Sequence, residues 1–413
     1  MGLWIRLAIR NALRNSRRTL LTASTIVVAT ALITVTLAYI QGVFGGMVRE
    51  TVAVVGHIRV VDAEFARREA MAPMDANIAD AKPVLAAIRK VPGVVDVYAR
   101  IVTGAVITAG DELGDNFTAV TGASDDYYRE HLKGPEKLAE GRWLKPKGPE
   151  VVVGRKLAAK INAKLGDKIL LMGRTQYDSM SPLNLELVGV AGGDAVLDNS
   201  CFISLQQARW MADMEGGALE VVAYAADEKA ATVEPVAAAI AALPEAKGLD
   251  VKAWHQREPW NMMGGLMEGM ELFIELLVVF MAALAIFNTM MMSVLERSAE
   301  IGVLRAMGLT GGGTVGLFLV EASFVGLLGG IGGTALGSIG GWLLQTKGIT
   351  LGDEVIDKMG SGFPISATLY GEMTWSIVAT SLVFGFIIAL VGAALPAIRA
   401  AAIQPVTAMR ART

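Results

Sequence analysis

The chain has 413 residues and a single cysteine, Cys201. One thiol excludes an internal disulfide framework and any metal site built on paired cysteines. Histidine is almost as scarce. His57, His131 and His255 are the whole complement, they are far apart, and no His-Glu-x-x-His pair occurs. There is no Gly-x-x-x-x-Gly-Lys-Ser/Thr loop to cradle nucleotide phosphates, and no Gly-x-Ser-x-Gly nucleophile elbow. Gly330-Ile331-Gly332 begins a dinucleotide-like pattern, but it lies inside an apolar run and follows no strand. Charged residues make up only 19% and the net charge is −3, which speaks against a nucleic-acid partner. An enzyme therefore has no positive support in the sequence.

What the chain has in abundance is apolar. Hydrophobic residues reach 53%, and the mean hydropathy is +0.48. About 20 apolar residues cross a bilayer as a helix, and four stretches qualify: 20–44, 271–295, 313–345 and 374–398. Arginines precede the first, as in a signal peptide. Its apolar run is too long for one and no small-residue cleavage pattern follows, so it reads as an uncleaved anchor. The spans divide the chain into a basic segment 1–19, a large external region 45–270, a short charged connector 296–312, a loop 346–373 and a tail 399–413.

Orientation follows from the flanks. Arg6, Arg10, Arg14, Arg17 and Arg18 precede the first span, Arg297 and Arg305 lie in the connector, and Arg399, Arg410 and Arg412 close the chain. The loop 346–373 instead holds Asp353, Glu354, Asp357 and Glu372 against two lysines. Positive residues stay inside, so both termini are expected in the cytoplasm and 45–270 in the periplasm of an inner-membrane protein. The segment 1–19 is either an interfacial helix or a positive flank.

The external region alternates β-rich and helical runs. Strands are expected at His57–Val61, Val94–Thr108, Phe117–Thr121, Val151–Val153, Lys168–Met172, Leu185–Val190, Cys201–Ser204 and Leu219–Ala223. Helices are expected at Ile78–Lys90, Arg155–Lys164, Leu205–Met214 and Glu228–Leu243. This predicts an α+β domain with a mixed sheet, with a second subdomain at about 125–193. The fold class is thus four transmembrane helices plus a large α+β periplasmic domain.

Several residues in and near the spans stand out. Gly329, Gly333, Gly337 and Gly341 recur every fourth residue, which lets another helix approach one face. Met263, Met267 and Met270 share a helical stripe that Phe273 extends. Such a stripe suits acyl chains of varied shape or the packing of a second subunit. Glu271, Glu275 and Glu321 are ionisable groups in or near spans, where a protein or water partner is required. The connector carries Glu296, Arg297, Glu300 and Arg305 on more than one side, as expected of a helix seated in a partner's groove.

The connector Glu296-Arg297, Glu300-Ile301-Gly302 and Arg305-Ala306-x-Gly308 resembles the coupling region of the FtsX/MacB-type (type VII) ABC transporter permeases. The tail Pro396-Ala397-x-Arg399-Ala400-Ala401 with Pro405-Val406-x-Ala408-x-Arg410 is similar to that family's closing motif. Gly141-Arg142-x-Leu144, Val153-Gly154-Arg155-x-Leu157-Ala158 and Gly166-Asp167 look like its periplasmic core domain, and the order of spans agrees. The resemblance implies a non-catalytic membrane subunit with no cofactor of its own. ATP and Mg would be bound by a separate ATPase, whose dimer docks on the connector and on Arg399, Pro405 and Arg410. A second permease subunit, the same or a diverged copy, would complete the assembly. Movement would pass through the bilayer to the periplasmic domain, a mechanotransmission.

The layout, and the run Gly56-His57-Ile58-Arg59-Val60, are closest to the lipoprotein-releasing LolC/LolE branch, with a periplasmic carrier or adaptor as further partner. The alternatives are MacB-like tripartite efflux of small molecules or peptides and FtsX-like signalling to a periplasmic cell-wall hydrolase.

Overall fold

A computed structural model of the chain describes residues 16–110, 116–192, 195–258, 260–350 and 368–403. The basic segment before Ser16, the acids Asp353, Glu354 and Asp357, and Pro405, Arg410 and Arg412 lie outside the described residues. Two compact units emerge. One is built on Gly265–Ile349 with the stretches up to Gly45 and from Thr368, the other on Gly46–Gly264.

The first unit is helical. It draws on α1 (Ser16–Val55), α2 (Trp260–Glu296), α3 (Ser298–Ala306), α4 (Gly311–Lys347) and α5 (Trp375–Ala401). All but α3 are long and apolar enough to cross a membrane. Each of the four runs past the hydrophobic stretch read from sequence, α1 as far as Val55. A helix satisfies its backbone groups internally, so it continues until something else takes its last carbonyls. Ile26 and Ile33 of α1, Ile286 of α2, Phe318 of α4 and Ile388 of α5 form the common core.

The fourfold glycine repeat sits where α4 meets α1. A Cβ on Gly333 would stand 2.6 Å from both the Val27 carbonyl and Thr30 Cβ. On Gly329 it would meet Ile26, on Gly337 Thr34, and on Gly341 Met373 and Ala38. The other side of α4 uses Gly326 and Gly330 against Ala389 and Gly385 of α5. With no hydrophobic gain available between helices in lipid, close van der Waals contact is what holds them, and small residues permit it. Helix α2 is covered least: 22% of its apolar window is buried against 39% in each of the other three, so its apolar side is left for lipid or another chain.

The second unit is a mixed sheet of ten strands: β1 (Ile58–Asp62), β2 (Val94–Ala109), β3 (Asn116–Ala123), β4 (Leu138–Gly141), β5 (Glu150–Gly154), β6 (Lys168–Arg174), β7 (Met180–Ala191), β8 (Ser200–Ser204), β9 (Glu220–Ala225) and β10 (Leu249–Ala253). Their order is β10-β1-β9-β2-β3-β8-β5-β7-β4, with β6 pairing β2 and β7. Pairs β3–β8 and β5–β7 are parallel.

The pivotal strand is β2. Its first half, to Arg100, pairs with β9, and from Ile101 it pairs with β3. One core therefore forms around Ile58, Ile88, Val221 and Ile240, under the helices Ala81–Ile88 and Ala230–Ala241. Another forms around Ile107, Val153, Leu171 and Leu187, under Leu205–Ala212. The lobe division falls inside β2, and the second lobe extends beyond Gly193 to include β8. This differs from the subdomain expected at 125–193, because a 16-residue strand serves both lobes. Cys201 is fully buried in β8, and burial pushes its thiol pKa up.

Gly333→Ala is expected to cost about 1–3 kcal/mol, since the neighbouring backbone has no room to yield. Gly316→Ala, with nothing within 4 Å of the new carbon, is expected to be neutral or stabilising by up to about 1 kcal/mol. Thermal unfolding of the two purified variants in detergent separates these outcomes.

Candidate functional site: a coupling helix and a helix-to-sheet joint

Two helix ends in this structure concentrate charged side chains. The first is the break between α2 and α4. Helix α2 stops at Glu296, Arg297 leaves helical geometry (φ −97°, ψ 10°), and α3 starts at Ser298. The Arg297 side chain turns inward and is only 12% exposed. Its Nη1 lies 3.2 Å from Glu321 Oε2 on α4, and its guanidinium stands over the Phe318 ring. Glu300 adds a second carboxylate at 3.5 Å from Nε. Arg305 Nη1 donates to the carbonyl of Ile403, just past α5.

These two arginines tie α3 to α4 and to the end of α5, because a guanidinium beside apolar spans needs an internal acceptor. Ile301 and Gly302 are buried beneath α3. The outward face is therefore Glu296, Glu300, Val303, Leu304, Ala306, Met307 and Gly308, with Met307 72% exposed. Arg399 is exposed in the last turn of α5. Glu321, whose partner was open on the sequence, has Arg297.

The methionine stripe is split. Met263 and Met267 are half-buried, whereas Met270 and Phe273 are exposed, and Leu276, Leu277 and Phe280 continue the open apolar surface along α2. Glu271 and Glu275 are half-buried on the same helix.

The second helix end, that of α1, lies in the sheet unit. The last carbonyls of a helix have no partner within it. Here each is met by a buried side chain from the sheet unit. Tyr224 donates to the Ala53 carbonyl at 2.9 Å, and Tyr127 to Val54 at 2.6 Å. Arg100 donates through Nη1 to Val54 and through Nη2 to Val55 at 3.1 Å. Gly56 then turns the chain with φ +84°, and its N–H returns to the Val52 carbonyl. A Cβ there would also press on Val222 at 2.7 Å, so only glycine fits. His57 Nδ1 accepts from the Ala225 N–H at 3.0 Å, and burial lowers its pKa, leaving a neutral ring. Strand β1 starts at the next residue.

Register explains how Arg100 is held. It lies opposite Glu220 in the β2–β9 pair, and Glu220 lies opposite Val61, two residues from Arg59, in the β1–β9 pair. Glu220 accepts from Arg100 Nε at 2.6 Å on one oxygen and from Arg59 Nε at 2.5 Å on the other. Burial pushes the Glu220 carboxyl up, but the guanidiniums of Arg100, Arg59 and Arg257 outweigh it and hold the pKa at about 2. Burial likewise raises the phenol pKa values of Tyr127 and Tyr224, which stay protonated as donors. The sequence reading singled out Gly56–Val60 but passed over Arg100 and Glu220. The available signal was a charge inside an otherwise apolar strand.

Four helices long and apolar enough to cross a membrane, a mixed-sheet domain, and a short charged helix between the second and third spans are the parts of a membrane protein. Comparison with known families narrows this. The MacB-like periplasmic core domain matches residues 19–243, and the FtsX-like permease C-terminal domain matches 272–405. The chain belongs to the ABC transporter permeases of the MacB/FtsX/LolC type.

Among its relatives, the lipoprotein-releasing system transmembrane protein LolC of Neisseria meningitidis is 27% identical over 224 residues, covering 50% of this chain and 52% of that protein. The pyoverdine export ATP-binding/permease protein PvdT of Pseudomonas aeruginosa is 35% identical over 145 residues, covering 35% of this chain and 18% of that one. Against the permeases MJ1507 of Methanocaldococcus jannaschii and YknZ of Bacillus subtilis, the match spans 29% and 27% of their lengths. The periplasmic region of MacB from Actinobacillus actinomycetemcomitans overlays 51% of this chain and 92% of that structure at 11% identity, with a TM-score of 0.36.

Glu220→Gln leaves buried guanidiniums without their carboxylate and is expected to cost about 3–5 kcal/mol. The acid response separates this from a general loss of packing. The folded Glu220 pKa lies below its usual 4.5, so its stabilisation is complete above that value and is lost as pH falls through about 2. The Glu220-dependent difference between wild type and variant should therefore shrink on acidification across that window. A difference that stays constant with pH would contradict the assignment.

Proposed function

We propose that the chain is the membrane subunit of an inner-membrane ABC transporter and converts ATP hydrolysis by a separate ATPase into movement of its periplasmic domain. Both termini lie in the cytoplasm, α3 is the surface on which the ATPase pushes, and the open apolar side of α2 meets a second permease subunit. The observation that carries this reading is that α3 is tied internally, through Arg297–Glu321 and Arg305–Ile403, while Val303, Leu304 and Met307 remain exposed. An apolar patch flanked by Glu296 and Glu300, on an element anchored to the spans, suits a docked partner whose motion must reach those spans.

At the far end of α1, Arg100, Tyr127 and Tyr224 grip the final carbonyls. Movement of that helix is then passed to the sheet rather than lost at a flexible link. For substrate we favour extraction of lipidated proteins from the membrane and their release to a periplasmic carrier. Among the relatives matched by sequence and described above, LolC spans the largest share of this chain, and the exposed Met270, Phe273 and Phe280 offer an adaptable apolar surface to acyl chains.

Met307→Asp is expected to abolish co-purification of the ATPase at unchanged permease yield. Glu300→Ala is expected to retain the ATPase but uncouple its hydrolysis from substrate release in proteoliposomes. Native-membrane purification with mass spectrometry and an ATPase assay reads both. An ATPase that stays bound to Met307→Asp removes α3 as the docking surface.

A further inference from the structure

The far side of the Glu220 cluster opens into a cavity of about 600 Å³ within the sheet unit, lined by Arg59, Glu69 and Arg257 among others. Its inward-held groups are three guanidiniums and two carboxylates. Three guanidiniums, those of Arg59, Arg100 and Arg257, act on Glu220. Both oxygens of Glu220 are already taken by Arg100 and Arg59. Glu69 Oε1 accepts from Arg59 Nη1 at 2.6 Å. Among the described residues, the ion pair left to Arg257 is with Glu69 at 3.8 Å, beyond hydrogen-bond reach, although its side chain is only 17% exposed. Burial and the neighbouring Arg59 lower the Arg257 pKa to about 10, so it remains charged at neutral pH.

On the rim two ion pairs cancel, Lys252 with Asp250 at 3.3 Å and Arg67 with Glu64 at 3.2 Å, and the solvent-exposed Glu258 brings the formal charge to zero. An inward-held guanidinium without a hydrogen-bonded counterion, beside a second one and in a cavity of this size, offers its donors to an anion. The planar fork of arginine matches phosphate oxygens two at a time. Asn261, also on the cavity wall, supplies an amide donor.

We propose that this cavity binds a phosphate group, with Arg257 as the principal contact and Arg59 beside it. The phosphate comes either from an anionic lipid headgroup or from free phosphate. Asn261 stands in the first turn of α2, in the same helix as the apolar run that begins near residue 271. The lipid headgroup therefore fits the setting. The proposal is independent of the ATPase-coupled reading, and its test contains no ATPase.

The experiment is thermal unfolding of the full-length protein in a neutral detergent. It is titrated with inorganic phosphate against chloride at matched ionic strength, and with dihexanoyl phosphatidylglycerol against dihexanoyl phosphatidylcholine. Wild type should show a saturable rise in unfolding midpoint. Arg257→Gln should raise the half-saturating concentration at least tenfold, and Arg257→Lys, which keeps the charge but loses the fork, should raise it severalfold. Arg129→Gln, on the exposed Asp125 pair, should leave it unchanged. Saturation by phosphatidylglycerol at a tenfold lower concentration than phosphate assigns the site to a lipid headgroup. Equal or tighter binding of phosphate assigns it to the free ion. No saturable rise with either, or the same rise in Arg257→Gln and Arg257→Lys as in wild type, overturns the proposal.

Discussion

Within the sheet unit, the end of α1 is held through one buried carboxylate. Glu220 sits between Arg100 and Arg59 on adjacent strands, and Arg100 in turn holds the last carbonyls of α1. Taking these charges out of water carries a cost that is offset only if every donor and acceptor finds a partner. Here the partners on the helix side are backbone carbonyls that a helix end leaves unsatisfied in any case. The desolvation problem of the arginine and the termination problem of the helix are solved by the same contacts.

In α1 the helix persists to Val55, its carbonyls are fastened by Tyr224, Tyr127 and Arg100, and a single glycine then leads into β1. The sheet that receives it hangs on β2, one strand shared by both lobes. In the helical unit the same chemistry recurs on a smaller scale. Arg297 and Arg305 anchor α3 to α4 and to the end of α5, while Val303 and Leu304 of α3 and Met307 just past it stay exposed. In each place arginine works as a fastener.

Much of this was legible in the amino-acid order. The four spans follow from uninterrupted apolar runs, since nothing but a helix can carry such a run across lipid. The strands at Val94–Thr108 and Val151–Val153 follow from β-branched stretches bounded by turn residues. The glycines at 329, 333, 337 and 341 announce a close helix contact by spacing alone. Other elements left no such trace. Strand β10, Leu249–Ala253, is half exposed and reads as loop, and it becomes a strand only because β1 offers it a free edge. Residues 45–55 read as the start of the outer domain because Arg49 and Glu50 break the apolar pattern, yet they are helix.

The chain by itself thus determined what must be in lipid, what must be in a sheet, and which family the pattern belongs to, because those follow from hydrophobic periodicity and local turn chemistry. Tertiary structure alone decided which charges meet. Arg100 and Glu220 are 120 residues apart in the chain, and Arg297 and Glu321 lie on opposite sides of a turn. Their pairing depends on strand register and helix rotation, neither of which a single sequence expresses. For the same reason the sequence shows the connector arginines but not the internal partners they take in the fold.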